Sequence, residues 1–238
     1  MTTQRATPTL FASSLRIDMK AVLFDLDGTL LNTLDDIILA TNHVLGNMGY
    51  PRHTREELIP LIGAGGYNLI RRALPCWAEE TDVESAIGAY RAYYTPEHMP
   101  RVAPYEGIVN AVATLIQDGY AVGIVSNKSD TNVRYLANRF FPDISVTVGV
   151  TPDRPVKPDP TMCEVALNAL GASRDACVFV GDTEVDRDTA RNLGVPCIGL
   201  SWGFRGRAAL EELGFDAVVD TADELVKTIR VTLGVAKE

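Results

Sequence analysis

The sequence predicts an α/β protein: a doubly wound parallel sheet, interrupted after its first strand by an inserted block of α-helices. Three observations carry that reading. Short, uninterrupted apolar runs recur along the chain, as strands buried on both faces of a sheet require. Stretches of helical spacing separate most of them, giving the strand–helix alternation of a parallel sheet. Over residues 31–103 the alternation stops; helical spacing persists there, but no convincing strand appears.

Residues 1–18 hold Arg5, Arg16, several Ser and Thr and one acid, Asp18, faintly like a transit peptide. Leu10-Phe11-Ala12 is too short for a secretory core, and the expected reading is a disordered leader ahead of Met19. Ala21-Val22-Leu23-Phe24 is the first strand, ending in the turn-prone Asp25-Leu26-Asp27-Gly28-Thr29. Within the inserted block, Leu34, Ile37, Ile38, Thr41 and Leu45 share a helical face. Pro51, Pro60, Pro75, Pro96 and Pro100 divide the block into several helices. Gly63-Ala64-Gly65-Gly66 reads as a bend between two of them, and Tyr90, Tyr93 and Tyr94 as packing residues. The core comprises residues 19–30 and 104–238. Its further strands are expected over 121–125, 144–148, 177–180 and 195–200, with helices over 108–117, 132–139, 161–170 and 186–193.

Composition narrows the function. Hydrophobic residues are 46% and charged residues 22%, a globular balance that excludes disorder as the main state. With 22 Lys and Arg against 31 Asp and Glu the net charge is −9, which argues against a nucleic-acid partner. A small anionic substrate is still admissible, because a metal or a few cations reverse the field locally. Cys76, Cys163, Cys177 and Cys197 form no C-x-x-C pair, and His43, His53 and His98 lack metal-ligand spacing. Zinc and a disulfide framework are therefore not expected; the thiols read as reduced and the protein as cytoplasmic. The longest uncharged apolar stretch, residues 58–70, is broken by Pro60, Gly63, Gly65 and Gly66, so no membrane partner is expected. Oligomeric state is not legible.

In a doubly wound sheet, ligands bind beyond the carboxyl ends of the strands. There the sequence places Asp25 and Asp27 after the first strand, Ser126-Asn127 after the second and Gly181-Asp182 after the fourth. Lys157 lies in the Pro-rich loop after the third. Gly28 would let the chain curl so that Asp25 and Asp27 share a cavity. With Asp182 and Asp186 added, the mutual repulsion of four carboxylates demands a cation, and all-oxygen donors select Mg²⁺ over zinc. Lys157 adds a positive charge, while Ser126 and Asn127 supply neutral donors. A phosphoryl group fits that mixture.

Asp25-Leu26-Asp27-Gly28-Thr29-Leu30, Val125-Ser126-Asn127, Lys157-Pro158 and Val180-Gly181-Asp182-Thr183 through Asp186 resemble the four motifs of the haloacid dehalogenase-like superfamily, in order, over residues 20 to 225. The insertion looks like the helical C1-type cap of the branch containing phosphoglycolate phosphatase. The stretches 61–65 and Arg71-Arg72-Ala73-Leu74 are similar to that branch, less specifically. The resemblance implies a Rossmann-like core with Asp25 as nucleophile, forming an aspartyl-phosphate, and Asp27 as general acid and base. It implies Mg²⁺ held by the Asp25 carboxylate, the Asp27 carbonyl and Asp182, and phosphoryl oxygens held by Ser126, Asn127 and Lys157. Asp186 would act from behind those ligands, or serve only as a first-turn acid of its helix.

The expected activity is a Mg²⁺-dependent phosphatase acting on a small phosphorylated metabolite. On resemblance alone 2-phosphoglycolate leads; pyrophosphate, nucleotides and sugar phosphates stay open. The alternatives are a sugar-phosphate mutase and, third, a non-catalytic interaction protein. Arg71 or Arg72 is a candidate for pairing with a second anion on the substrate; the competing reading leaves both on the solvated surface.

Overall fold

The computed structural model describes residues 19–234, so the expected leader over 1–18 lies outside the described residues. Strand β1 (Ala21–Phe24) is buried along its whole length. From it the chain passes through β2 (Leu31–Asn32), α1 (Leu34–Asn47), α2 (Arg55–Leu58) and a 3₁₀ turn at Ile59–Leu61. It continues through α3 (Gly65–Ala73), α4 (Glu80–Tyr93) and a second 3₁₀ turn at Pro96–His98, and returns by β3 (Ala103–Pro104). Leu31 lies opposite Pro104 and Asn32 opposite Ala103 in an antiparallel pair, which ties the entry and exit of the insertion side by side. Two-residue strands are too short to show a period, so this pair had no signature in the sequence.

The rest alternates helix and strand: α5 (Ile108–Gln117), β4 (Ala121–Ser129), α6 (Asp130–Phe140), β5 (Val146–Val150), α7 (Thr161–Leu170) and β6 (Cys177–Gly181). Then come α8 (Glu184–Leu193), β7 (Cys197–Leu200), α9 (Gly206–Leu213), β8 (Ala217–Val219) and α10 (Ala222–Thr232). The six long-sheet strands run β5-β4-β1-β6-β7-β8, all parallel, as the alternating pattern predicts.

Period-two geometry explains why the strands read as solid apolar runs. Val22, Phe24, Val122, Ile124, Val178 and Val180 enter one apolar cluster, while Ala21, Leu23, Ala121, Val125, Cys177 and Phe179 enter another. The first cluster runs on into the insertion, through Ile37, Val44 and Leu45 of α1, Ile70 of α3 and Ile87 of α4. Trimming one such residue, for example Ile70→Ala, costs about 2–5 kcal/mol, enough to loosen the insertion from the sheet.

Several details depart from the sequence reading, among them β4, which runs on to Ser129 instead of ending at 125, and the unforeseen helices α9 and α10. β5 begins at Val146 rather than 144, because Ile144 turns back to bond the Phe141 carbonyl at 3.0 Å. β7 begins at Cys197 rather than 195, one residue after Pro196, which has no N–H to pair. Edge strand β8 was not foreseen; it is only three residues long. No helix among the described residues is long and apolar enough to cross a membrane.

Candidate active site

Strand β1 hands its end directly to the site: Asp25 N–H still bonds the Val180 carbonyl of β6 at 2.9 Å. The loop then closes tightly, with the N–H groups of Thr29, Leu30 and Leu31 all converging on the Leu26 carbonyl at 3.0–3.3 Å. Gly28 makes this possible. Its φ is +84°, and a Cβ there would stand 2.3 Å from Asp182 Oδ2. The loop is thereby pressed against the end of β6, where Thr29 Oγ1 donates to Asp182 Oδ1 at 2.7 Å and Phe204 N–H donates to Asp182 Oδ2 at 2.8 Å. Trp202 Nε1 donates to the Thr29 carbonyl at 3.2 Å and holds the loop from outside.

Asp186 sits in the first turn of α8. Its Oδ2 accepts from the N–H groups of Asp182 and Thr183 and from Thr183 Oγ1, at 2.8–3.1 Å. Its Oδ1 accepts from Lys157 Nζ at 2.7 Å. Capping a helix and anchoring a buried lysine are thus done by one carboxylate. The same ammonium lies 2.9 Å from Asp25 Oδ1, off the axis a hydrogen bond would need, so that oxygen is buried without a hydrogen-bond partner. Oxygens of Asp25, Asp182 and Asp186 all lie within 4.8 Å of one another.

The end of β4 supplies Ser126, Asn127 and Lys128. Asn127 is fully committed: its Oδ1 accepts Lys157 N–H at 2.8 Å, and its Nδ2 donates to the carbonyls of Lys157 and Gly63 at 2.9 and 3.2 Å. Ser126 Oγ accepts Lys128 N–H at 3.4 Å, and among the described residues donates to no protein group. Lys128 Nζ lies 2.8 and 3.2 Å from the Asp27 carboxylate oxygens and 2.9 Å from the Tyr94 hydroxyl. A cavity of about 760 Å³ opens over these groups, with Asp25, Asp27, Ser126, Asn127 and Lys128 on the core side. Tyr67, Asn68, Tyr90 and Tyr94 line it from the insertion.

A family model described as haloacid dehalogenase-like hydrolase matches residues 22–200. The chain belongs to that family. Among similar proteins, a pyrophosphatase PpaX from Listeria welshimeri is 32% identical over 215 residues, 88% of this chain and 95% of that one. The pyrophosphatase PpaX of Bacillus cereus (strain B4264) is 34% identical over 214 residues, covering 87% and 95%. A crystal structure from Lactobacillus delbrueckii subsp. bulgaricus, provisionally assigned as a phosphoglycolate phosphatase, superposes with a TM-score of 0.83. It is 30% identical and covers 90% of this chain and 99% of its own.

Within this haloacid dehalogenase-like site, electrostatics follow from crowding. Burial pushes Asp25 up to about 6 against the pull of Lys157, and the Asp186 and Asp27 charges push the same way as burial. Asp182 is raised well above the usual carboxylate range, by burial first and then by Asp186 and Asp25, against the hydrogen bonds from Phe204 and Thr29. Burial would depress the Lys157 ammonium, but Asp186 and Asp25 outweigh it and the net shift is upward. Three hard oxygens, one lacking a hydrogen bond, held together against their own repulsion, are a donor set that can hold a metal ion.

The arginines of α3 do not face this cavity. Arg71 pairs with Glu80 at 2.9 Å, and Arg72 donates to the Pro60 carbonyl at 3.3 Å; both are exposed. The buried face of α3 carries Leu69, Ile70 and Ala73, and its cavity side carries Tyr67 and Asn68, which turns both arginines outward. Of the donors offered for an anion at Asn127, its amide or the backbone N–H groups, the amide is spent on Lys157 and Gly63. Lys128 and Tyr94 were missed. The signal for Lys128 was the polar run Ser126-Asn127-Lys128-Ser129 continuing straight out of an apolar strand. Arg205 was missed too: it grips both oxygens of Glu184 and the carbonyls of Ile59 and Ile62, all at 2.8–2.9 Å, bracing the insertion against the core.

Proposed function

We propose that this chain is a Mg²⁺-dependent phosphatase that hydrolyses a small phosphorylated metabolite through an aspartyl-phosphate on Asp25. The observation that carries the reading is the buried cluster of Asp25, Asp182 and Asp186 oxygens, within 4.8 Å of one another and braced by Lys157. Mg²⁺ would be held by the Asp25 and Asp182 carboxylates and the Asp27 carbonyl, and would supply positive charge to neutralise the phosphoryl oxygens.

In this reading a carboxylate oxygen of Asp25 attacks phosphorus and the bond to the leaving oxygen breaks. Asp27 gives that oxygen a proton. Asp27 then takes a proton from a water whose oxygen attacks phosphorus, and the bond to Asp25 breaks, releasing inorganic phosphate. Ser126 Oγ and the Asn127 N–H would hold phosphoryl oxygens. Lys157, screened between two carboxylates, would do so through Asp25 and from its margin. Asp186 positions Lys157. Residues 31–103 would act as a cap that closes the cavity over substrate, excluding water during the first step. The four free cysteines agree with a cytoplasmic setting.

The leading substrate is 2-phosphoglycolate. A second reading, pyrophosphate, is favoured by the names of relatives 32–34% identical to this chain. Phosphate release from a panel of phosphorylated metabolites, measured with Mg²⁺, after exhaustive EDTA and after restoring Mg²⁺, tests the proposal. Activity should vanish on chelation and return with the metal. Undiminished turnover in EDTA sinks it, and transfer of phosphate between sugar hydroxyls without release would favour the mutase.

A further inference from the structure

The mechanism above leaves one buried cation unused. Lys128 is 3% exposed at its side chain, yet it lines the substrate cavity. A buried ammonium is costly unless paired, and such residues are retained where their charge is needed. Its three donors meet Asp27 Oδ1 at 2.8 Å, Tyr94 Oη at 2.9 Å and, more weakly, Asp27 Oδ2 at 3.2 Å. The Tyr94 ring also lies beside the ammonium, 4.4 Å from centroid to Nζ, and fixes the end of the stem.

Charge and position together say what it is for. Asp25, Asp27, Asp182 and Asp186 bring four acids to the site, and Lys157 and Lys128 bring two ammonium groups to different parts of it. Lys157 is enclosed between Asp25 and Asp186, on the side of the nucleophile in the proposed reaction. Lys128 sits against Asp27, the group that serves the leaving oxygen. Its weaker contact, to Asp27 Oδ2, can be exchanged for another anion while the shorter one is kept.

We propose that Lys128 is a specificity-determining residue that holds a second anionic group carried by the leaving group, two or three bonds from the scissile oxygen. The substrate class is then a phosphoryl donor with an adjacent carboxylate or phosphoryl group. Alcohol phosphates with neutral leaving groups are the poor substrates. In the reaction the leaving oxygen receives its proton from Asp27, and Lys128 takes no part in the proton transfer. Tyr94, from the end of the insertion, orients the ammonium, so closure of the insertion and recognition of the second anion are one event. This inference takes over the role the sequence offered to Arg71 or Arg72, and it rests on the phosphatase reading.

The test compares 2-phosphoglycolate and pyrophosphate with 2-hydroxyethyl phosphate, which matches phosphoglycolate in size and has an alkoxide leaving group without the second charge. The wild-type protein should prefer the two charged substrates, or one of them, by about 10- to 150-fold in kcat/KM, the worth of one charge-assisted bond. That arm needs no variant, and equal rates on charged and neutral substrates overturn the proposal. In Lys128→Met the preference should collapse to within about threefold, and Lys128→Arg should restore part of it. If Lys128 only braces Asp27, the variant slows all three substrates by one factor and the preference survives, which also overturns it. Release of phosphate from no substrate at all is a different failure, that of the phosphatase reading. Which of the two charged substrates loses more in Lys128→Met tells whether the anion is a carboxylate or a phosphoryl group.

Discussion

Lys157, on the floor of the cavity, is held by two carboxylates at 2.7 and 2.9 Å, and its own backbone is clasped by the Asn127 amide. Lys128, on the wall, meets one carboxylate and one phenol, and the phenol belongs to the insertion. Both ammonium groups are buried, but the floor lysine is held wholly by groups of the core, whereas the wall lysine also depends on a hydroxyl from the insertion. The same fold thus sets a cation fixed within the core beside one whose surroundings change with the position of the insertion.

The largest expected effects fall on the floor. Asp25→Asn should lower turnover at least about a thousandfold and abolish any trapped phosphoenzyme, because an amide is a poor nucleophile. Asp27→Asn should leave the covalent step partly intact for p-nitrophenyl phosphate, whose leaving group needs no proton. A phosphoenzyme that still forms in Asp25→Asn would remove Asp25 from its role.

Lys157→Met comes next. It strands Asp25 and Asp186 as buried charges, and the loss of stability should be about 3–5 kcal/mol by denaturant unfolding. Lys128→Met strands only Asp27, whose side chain is 17% exposed, and should cost clearly less. Equal costs would erase the contrast between floor and wall.

A metal titration sharpens the same contrast at intermediate size. Asp25 holds its proton up to about pH 6 in the folded chain but only to about 3.8 in the unfolded one. The folded state binds the extra proton between those values, so the stability of the metal-free protein falls as pH rises through that window. Protons and Mg²⁺ compete for the same oxygens. The gain in melting temperature on adding Mg²⁺ should therefore be several degrees larger at pH 7.5 than at pH 5; an equal gain at both would disconnect the metal from Asp25.

The smallest effects belong to Arg71 and Arg72. Changed singly to Ala, each should shift stability by less than about 1 kcal/mol and leave the ratio of phosphoglycolate to p-nitrophenyl phosphate turnover where it was. A selective loss on phosphoglycolate would bring these side chains back to the substrate.

Legibility followed the range of the interactions. The sheet was readable because each buried strand needs an apolar run of its own, and the acids at strand ends stood out against those runs. Asp25, Asp27, Asp182 and Lys157 could be picked out singly because each ends or follows a strand. The bond of the Asn127 amide to Gly63, the brace from Arg205 to Ile59 and Ile62, and the meeting of Lys128 with Tyr94 depend on how the insertion settles on the core, and the bonds from Asn127 to Lys157 on how two loops of the core meet. Each joins residues 34 to 146 positions apart, or 30 for the Asn127–Lys157 bond, and no local pattern encodes them. By sequence the two arginines of α3 could be a substrate contact or solvated surface, for a related reason: adjacent residues on a helix point about 100° apart, and only packing decides which direction is inward.

Trp202 gives the molecule an optical property of its own. The chain has two tryptophans, and Trp77, on the insertion, is 69% exposed. Trp202 is half-buried, hydrogen-bonded to the Thr29 carbonyl and tilted against Tyr105 at 6.1 Å between ring centroids. Thr29 is itself the donor to Asp182. One indole is therefore wired to the carboxylate floor through a single residue, and in Trp77→Phe its emission alone would report, without label or coupled assay, on whatever tightens the loop that carries Asp25.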